Sequence, residues 1–376
     1  MQAPAIRSTS ANVGGAYTAL SPYRLVDTRA GSGQGYAGQT LGPGTTLNFQ
    51  VTGIDTVPAD ATAVALNVTV TDTTSASYLT VFPSGSGGPP LASNVNWPAA
   101  DTVPNLVIVP VGTGGQVSAY NANGDTDLVV DLEGYFAAES GGSAGSYGAL
   151  SPYRITDTRA GSGKPNSGKT LGPGGILNIQ VSNAGGGLPS SAADIDAVLL
   201  NMTVTDTTAP SYLTVYPAGN SRPTASNLNW SAGVTIANRV VVPINRTSGQ
   251  ITVYNANGAA DVVVDVDGYF STSVAPANAS LYTAVAPVRF IDTRSGSGEP
   301  GAGQPLGPGE ELSDQLSQIG SLGSGVTAVV SNVTTTDTSG GSYLTVYPVP
   351  STRPLASDLN WYPGDTVANL TVATVG

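Results

Sequence analysis

Histidine and cysteine are both absent from the 376 residues. Their absence removes Ser-His-Asp and Cys-His nucleophile systems, and with them histidine- or thiolate-ligated metals. It also removes any disulfide framework. Lysine occurs only as Lys164 and Lys169, so Lys–Asn isopeptide crosslinks are excluded elsewhere in the chain. Charged residues make up 10%, aromatics 6%, and 25 acids face 13 bases for a net charge of −12. An acidic chain without a basic stripe repels phosphate backbones and anionic lipid, so nucleic acid is not an expected partner. No apolar run approaches the ~18–20 residues that span a bilayer. The opening "MQAPAIRSTSANVGG" lacks an apolar signal core and reads as a mature or excised start.

The abundant residues are Gly (48) and Pro (27), a mixture that alone would suggest low complexity. A hydrophobic content of 40% argues for packed cores instead. The chain repeats itself. "SPYRLVDTRAGSG" returns as "SPYRITDTRAGSG" and "APVRFIDTRSGSG"; "LNVTVTDTTSASYLTVFP" and "ASNVNW" also occur three times, spaced 130 to 135 residues. That period marks duplicated domains, not a solenoid, whose repeats run ~20–50 residues. The expected division is an N-terminal extension 1–16, repeat 1 over 17–136, a linker 137–146, repeat 2 over 147–270, a linker 271–280, and repeat 3 over 281–376.

Within a unit the period is two. Val64, Leu66, Val68 and Val70 alternate with Ala65, Asn67, Thr69 and Thr71, as in a half-buried strand. Further strands are expected near Tyr17–Val26, Thr46–Val51, Tyr78–Phe82, Ala92–Trp97, Leu106–Val111, Gln116–Tyr120 and Asp127–Tyr135. "NANG" at Asn121–Gly124 reads as a hairpin turn, because Asn and Gly tolerate positive φ. The fold class is all-β: tandem antiparallel, jelly-roll-like β-sandwiches.

The ordered run "YRLVDTR", "LNVTVTDT", "YLTVFP", "ASNVNW", "NLVIVPVG" and "LVVDLEGYF" resembles a recurrent secreted domain of actinobacteria and other environmental bacteria. The resemblance covers nearly the whole chain, three times over. It implies an exported surface module on a bacterium and implies little about activity.

The "DTR" triplets (Asp27 and Arg29, Asp157 and Arg159, Asp292 and Arg294) place acid and base on one face of an extended chain. They fit either a ligand clamp or a structural ion pair, the latter with Arg29 reaching Asp131. Trp97, Trp230 and Trp361 could stack on sugars, but their register with Val95 and Leu228 assigns them to a core. Asn94 and Asn96 lie on the opposite face. "NANGDTD" carries oxygens suited to calcium, yet repeat 2 replaces Asp125 by Ala259, so the plain turn is the stronger reading. Glycosylation triplets occur at Asn67, Asn201 and Asn332 inside expected strands, at Asn245 and Asn369, and at Asn278 in a linker, where a glycan fits best. No catalytic, cofactor-binding or metal-binding residue is assigned. A paired-carboxylate glycosidase would need to draw on Asp27, Asp72, Asp131, Asp157, Asp206, Asp265, Asp292 or Asp337.

Repeat 3 aligns Gly376 with Gly112, leaving no counterpart of the last two strands before that point. One expectation is head-to-tail complementation by a strand of another copy, with residues 1–16 as the donor. The sequence thus points to a non-enzymatic extracellular structural protein, a surface fibre, coat or spacer whose partners are copies of itself. The alternative is a carbohydrate-binding or adhesive module with surface polysaccharide as partner.

Overall fold

In the computed structural model the described residues are 15–54, 56–138, 144–272, 279–283, 285, 288–313, 316, 319, 322 and 325–375. Most of the extension 1–16, the middle of both linkers and Asn278 lie outside them. Unit 1 contains β1 (Gly15–Asp27), β2 (Thr46–Gln50), β3 (Ala61–Thr71), β4 (Ser77–Pro83), β5 (Val95–Trp97), β6 (Val103–Pro110), β7 (Gln116–Asn121) and β8 (Asp127–Ala138). They form two antiparallel sheets in the orders β1-β8-β3-β6 and β2-β7-β4-β5, the arrangement of a jelly roll. Unit 2 repeats the plan with β9 (Tyr147–Asp157), β10 (Ile176–Gln180), β11 (Ile195–Thr205), β12 (Ser211–Pro217), β13 (Leu228–Trp230), β14 (Ile236–Pro243), β15 (Gln250–Asn255) and β16 (Asp261–Ser271). The short β17 (Ala279–Ser280) pairs with the outer edge of β9.

Period-two alternation fixes both cores. Val64, Leu66, Val68 and Val70 from β3 meet Leu128, Val130 and Leu132 from β8, with Phe49, Leu79, Val81 and Val117 from the facing sheet. Val198, Leu200, Met202 and Val204 do the same in unit 2. The expected half-burial of β3 is corrected: Ala63, Ala65, Asn67 and Thr69 on its other face are also buried. A third apolar cluster covers that face, joining Tyr17, Ala63, Ala65, Leu106 and Phe136 of unit 1 to Ala197, Leu199, Val241 and Phe270 of unit 2 and Leu370 of unit 3.

"NANG" is a corner rather than a hairpin. Asn121 closes β7 in one sheet, and Asp127 opens β8 in the other. Buried Asn121 donates to the carbonyls of Leu41, Gly42 and Gly124 and accepts from Ser77 Oγ at 2.9 Å. Its amide locks the corner.

Unit 3 differs. Its strands are β18 (Ala328–Thr335), β19 (Ser342–Leu344), β20 (Leu359–Trp361) and β21 (Val367–Thr374), in two two-stranded sheets, β18-β21 and β19-β20. The described residues 288–292 and 311–313, counterparts of β1 and β2, are irregular. Among the described residues, unit 3 thus has four strands of its own where units 1 and 2 each have eight. In units 1 and 2 the last strands sit in the middle of their sheets, β8 carrying the ladder of β1 and β7 that of β2.

Gly134 and Gly268 in "EGYF" and "DGYF" admit a tyrosine. A Cβ on either would lie 2.3 Å from Tyr17 Oη or Tyr147 Oη, whose hydroxyls donate to the carbonyls of Glu133 and Asp267. Gly134→Ala should destabilise the chain by about 1–3 kcal/mol, the range for overpacking. Chemical denaturation measures it, with Gly172→Ala, where a Cβ meets nothing within 4 Å, as the control.

Candidate functional site

The repeat signature builds an ion network at one edge of each sandwich. β1 departs from regular register twice, between Ala19 and Tyr23 and between Arg24 and Val26. These irregularities bring Arg24 and Asp27 to one cluster. Asp27 receives Arg29 Nε at 2.9 Å and Nη2 at 2.6 Å, and Arg24 Nη1 at 3.0 Å. Arg24 also grips Asp131 on β8 with Nε at 2.5 Å and Nη2 at 3.1 Å. The expected Arg29–Asp131 pair is corrected: Arg29 holds Asp27 of its own triplet, and the partner of Asp131 is Arg24. Unit 2 repeats the pattern with Arg159 on Asp157 and Arg154 on Asp265. In unit 3 Arg294 and Arg289 both hold Asp292.

These forks are occupied by carboxylates of the chain itself, so the arginines of the signature offer a ligand no free fork. A cleft of about 330 Å³ borders Arg154, Asp157, Arg159 and Lys164, with Leu355 of unit 3 across it. Both its arginines are already paired. Burial pushes the Asp27 carboxyl up, but the hydrogen bonds and charge of Arg29, helped by Arg24, bring it below its ordinary value; Asp157 behaves alike. Burial raises Asp131 and Asp265 despite the opposing arginines.

The structure places the remaining expected residues as follows. Trp97 and Trp230 are buried in the sandwich cores, as their register implied, while Trp361 is half-buried and donates Nε1 to Gly340 O. Asn94 Oδ1 accepts from Val81 N at 2.7 Å, and Asn96 donates to Ser93 Oγ. Among the described residues no three acidic side chains converge as metal ligands, and no helix is long and apolar enough to cross a membrane.

What the sequence reading missed is a ring of asparagines that joins the three units. Asn67 Nδ2 donates to Ser226 O of unit 2 at 2.7 Å, Asn201 to Ser357 O of unit 3, and Asn332 back to Ser93 O of unit 1. A second set answers it. Asn238 Nδ2 bonds Asn67 Oδ1 at 3.2 Å, Asn369 bonds Asn201, and Asn105 bonds Asn332 at 3.1 Å. The same three amides accept backbone N–H groups from the neighbouring unit: Leu106 N to Asn238 Oδ1, Arg239 N to Asn369 Oδ1, and Leu370 N to Asn105 Oδ1. The contacts run 1 to 2, 2 to 3 and 3 to 1, so the units close a quasi-threefold ring. The glycosylation triplets at Asn67, Asn201, Asn332 and Asn369 therefore supply ring contacts. The signal was available as recurrence: Arg24, Asn67 and Asn105 each stand at equivalent places in all three repeats.

Near the ring lie Glu133 and Asp267, each an extra residue at a register shift of its strand. Both are buried. Glu133 Oε1 has no hydrogen-bond partner, and burial, with the nearby Asp131 charge, pushes its carboxyl well up. Asp267 lies 3.3 Å from Arg239 Nε without hydrogen-bond geometry. Burial lifts it to about 7 against the pull of Arg239, helped by Asp358 and Asp265.

No family model matches the chain, and no curated protein matches it. Among solved structures, the N-terminal CBM22-1–CBM22-2 tandem domain of Xyn10C from Paenibacillus barcinonensis is similar over 69% of this chain and 94% of its own, at 11% identity and a TM-score of 0.18. A "putative secreted protein" from Parabacteroides distasonis is similar over 69% of this chain and 91% of its own, at 8% identity and a TM-score of 0.18. At that TM-score neither likeness carries an argument. The jelly roll stands on the strand order alone.

Arg24 is mostly buried and Arg29 about half exposed, with side-chain exposures of 15% and 47%. Arg24→Ala strands Asp131 and should cost about 3–5 kcal/mol. Arg29→Ala should cost about 1 kcal/mol or less. Urea unfolding of the two variants checks the contrast.

Stability should also vary with pH in two opposed ways. Raised carboxyls bind protons better folded than unfolded, so the contribution of Asp267 is complete below the ordinary carboxylate range and falls as pH rises toward about 7, and Glu133 contributes in the same direction. Lowered carboxyls (Asp27, Asp157) contribute above that range and lose their effect in stronger acid. The melting temperature should peak in mild acid and decline toward neutrality. Glu133→Gln and Asp267→Asn should flatten that decline.

Proposed function

We propose that this is a non-enzymatic, extracellular structural protein whose three units act as one block in a surface fibre, coat or spacer. The observation that carries the reading is the closed ring. The arginine, aspartate and asparagine side chains repeated in the units are spent on holding strands and neighbouring units together. The acidic, cysteine-free composition and the resemblance to secreted surface repeats support an extracellular setting. The proposal includes head-to-tail strand complementation. Its support is that, among the described residues, β18 pairs only with β21 and β19 only with β20, whereas β3 and β4 of unit 1 each have a second neighbour.

A second reading, a carbohydrate-binding or adhesive module, is favoured by one feature. Tyr78 and Tyr120 share the outer face of the sheet β2-β7-β4-β5, and Tyr212 and Tyr254 the equivalent face of unit 2, with ring centroids 6.2 Å apart. Flat aromatic faces beside uncharged Thr46 and Asn48 suit a neutral sugar ring. Arg222 already covers Tyr254 at 3.8 Å.

Electron microscopy of protein purified from its native source, with the intact subunit mass, tests the structural reading. Ordered filaments are expected. Monodisperse particles that bind an insoluble neutral polysaccharide, and lose that binding on Tyr78→Ala with Tyr212→Ala, would replace it with the second reading.

A further inference from the structure

Two departures from the repeat meet at one junction of the ring. Arg239 stands where units 1 and 3 carry Leu106 and Leu370. Asp358 stands where units 1 and 2 carry Asn94 and Asn227. Arg239 Nη2 bonds Asp358 Oδ1 across the boundary of units 2 and 3, with side-chain exposures of 1% and 5%. Asp358 still performs the task of the asparagine it replaces. Its Oδ2 accepts from Val346 N at 2.6 Å, as Asn94 accepts from Val81 N and Asn227 from Val215 N. The substitution therefore changes only the other end of the side chain, turning a donor into an acceptor that faces Arg239. Elsewhere the three junctions use the same asparagine contacts.

We propose that Arg239 and Asp358 are an address that admits unit 3, and rejects unit 1 or unit 2 of a second copy, at the edge of β14 that has no strand partner within unit 2. A second copy seated there would present Asn94 or Asn227, whose amide donor cannot pair with a guanidinium. Arg239 would be buried without its cross-boundary acceptor, a costly state. Conversely, a Leu106 edge brought to Asp358 would bury a carboxylate without its cation. The asparagine contacts repeat at all three junctions, so they cannot discriminate among units. Specificity then requires a penalty on the wrong neighbour as well as a bond to the right one. The penalty matters because a wrong unit in the ring displaces the chain's own third unit, and contacts of that head-to-tail kind propagate when they fail to close.

The test uses the full chain with Arg239→Leu, Asp358→Asn and the double variant, each melted and then refolded from denaturant at rising protein concentration. Each single variant should lower the melting temperature. The double variant should recover most of that loss, because it recreates the Leu106 and Asn227 junction. On refolding, the double variant should give a share of soluble oligomers several-fold above the parent's and rising with concentration, by size exclusion with light scattering. Single losses that simply add in the double variant would overturn the proposal. So would a double variant that refolds with the parent's oligomer share at every concentration.

Discussion

The molecule depends on satisfying three sheet edges. β6, β14 and the two-stranded β18-β21 sheet each end in a strand whose outer backbone groups have no ladder partner within their own unit. Such edges invite pairing with other chains, and burying them unpaired is costly. Asparagine resolves this because its amide offers a donor and an acceptor together. Asn105 gives its Nδ2 to Asn94 O at 2.6 Å and to Asn332, while its Oδ1 takes the N–H of Leu370 from the next edge. Three such residues around a ring leave each edge both supplied and supplying. The close approach of the edges explains the small Ala63, Ala65 and Ala197 on the shared face. It also brings Tyr17 to Phe270 at 4.2 Å and Phe136 to Tyr282 at 4.5 Å, so aromatic rings of neighbouring units seal one end.

Strand positions were legible because one face of each strand meets an apolar sheet, and alternation records that directly. Val64 to Val70 show it, and Trp97 in step with Val95 is buried as that register requires. The opposite face was misread for a physical reason. Ala65, Asn67 and Thr69 are small or polar, which alternation cannot distinguish from a surface facing water, yet they face another unit. Turn chemistry was legible at "NANG", but turn residues specify local φ and ψ, not the sheet the next strand will enter. The ion network was half legible: the triplet pairs with itself, while the role of Arg24 depends on irregularities in β1 that leave no mark in composition.

Unit 3 shows how far chain order and spatial order diverge in a jelly roll. The last two strands in sequence are the middle strands in space, β8 between β1 and β3, and β7 between β2 and β4. Their counterparts are therefore the strands on which the most ladder pairing depends. Unit 3 has four strands, and among its described residues the firmly buried ones are few: Asp358, Leu359, Asn369, Leu370 and Thr371. Asp358, Asn369 and Leu370 among these make contacts with units 1 and 2. The buried part of unit 3 is thus held in large part by its neighbours.

The signature and the ring are two ends of one structure. In unit 1 Arg24 lies opposite Asp131, Asp131 opposite Asn67, and Asn67 opposite Leu106, so a single row crosses the sheet from β1 to the ring. Unit 2 has the same row in Arg154, Asp265, Asn201 and Arg239. At its outer end the guanidinium ties the first strand to the last. At its inner end an asparagine and an edge strand meet the next unit. The row lies on the sheet face away from the sandwich core, where small apolar residues and Leu106 meet the neighbouring unit and the polar members pair by directional bonds. Packing on both faces and these bonds set one register, and a slip of one residue would turn the whole row inward. Each unit is both host and guest in the ring, so each unit needs the row. That requirement accounts for the recurrence of Arg24, Asn67 and Asn105 at equivalent places.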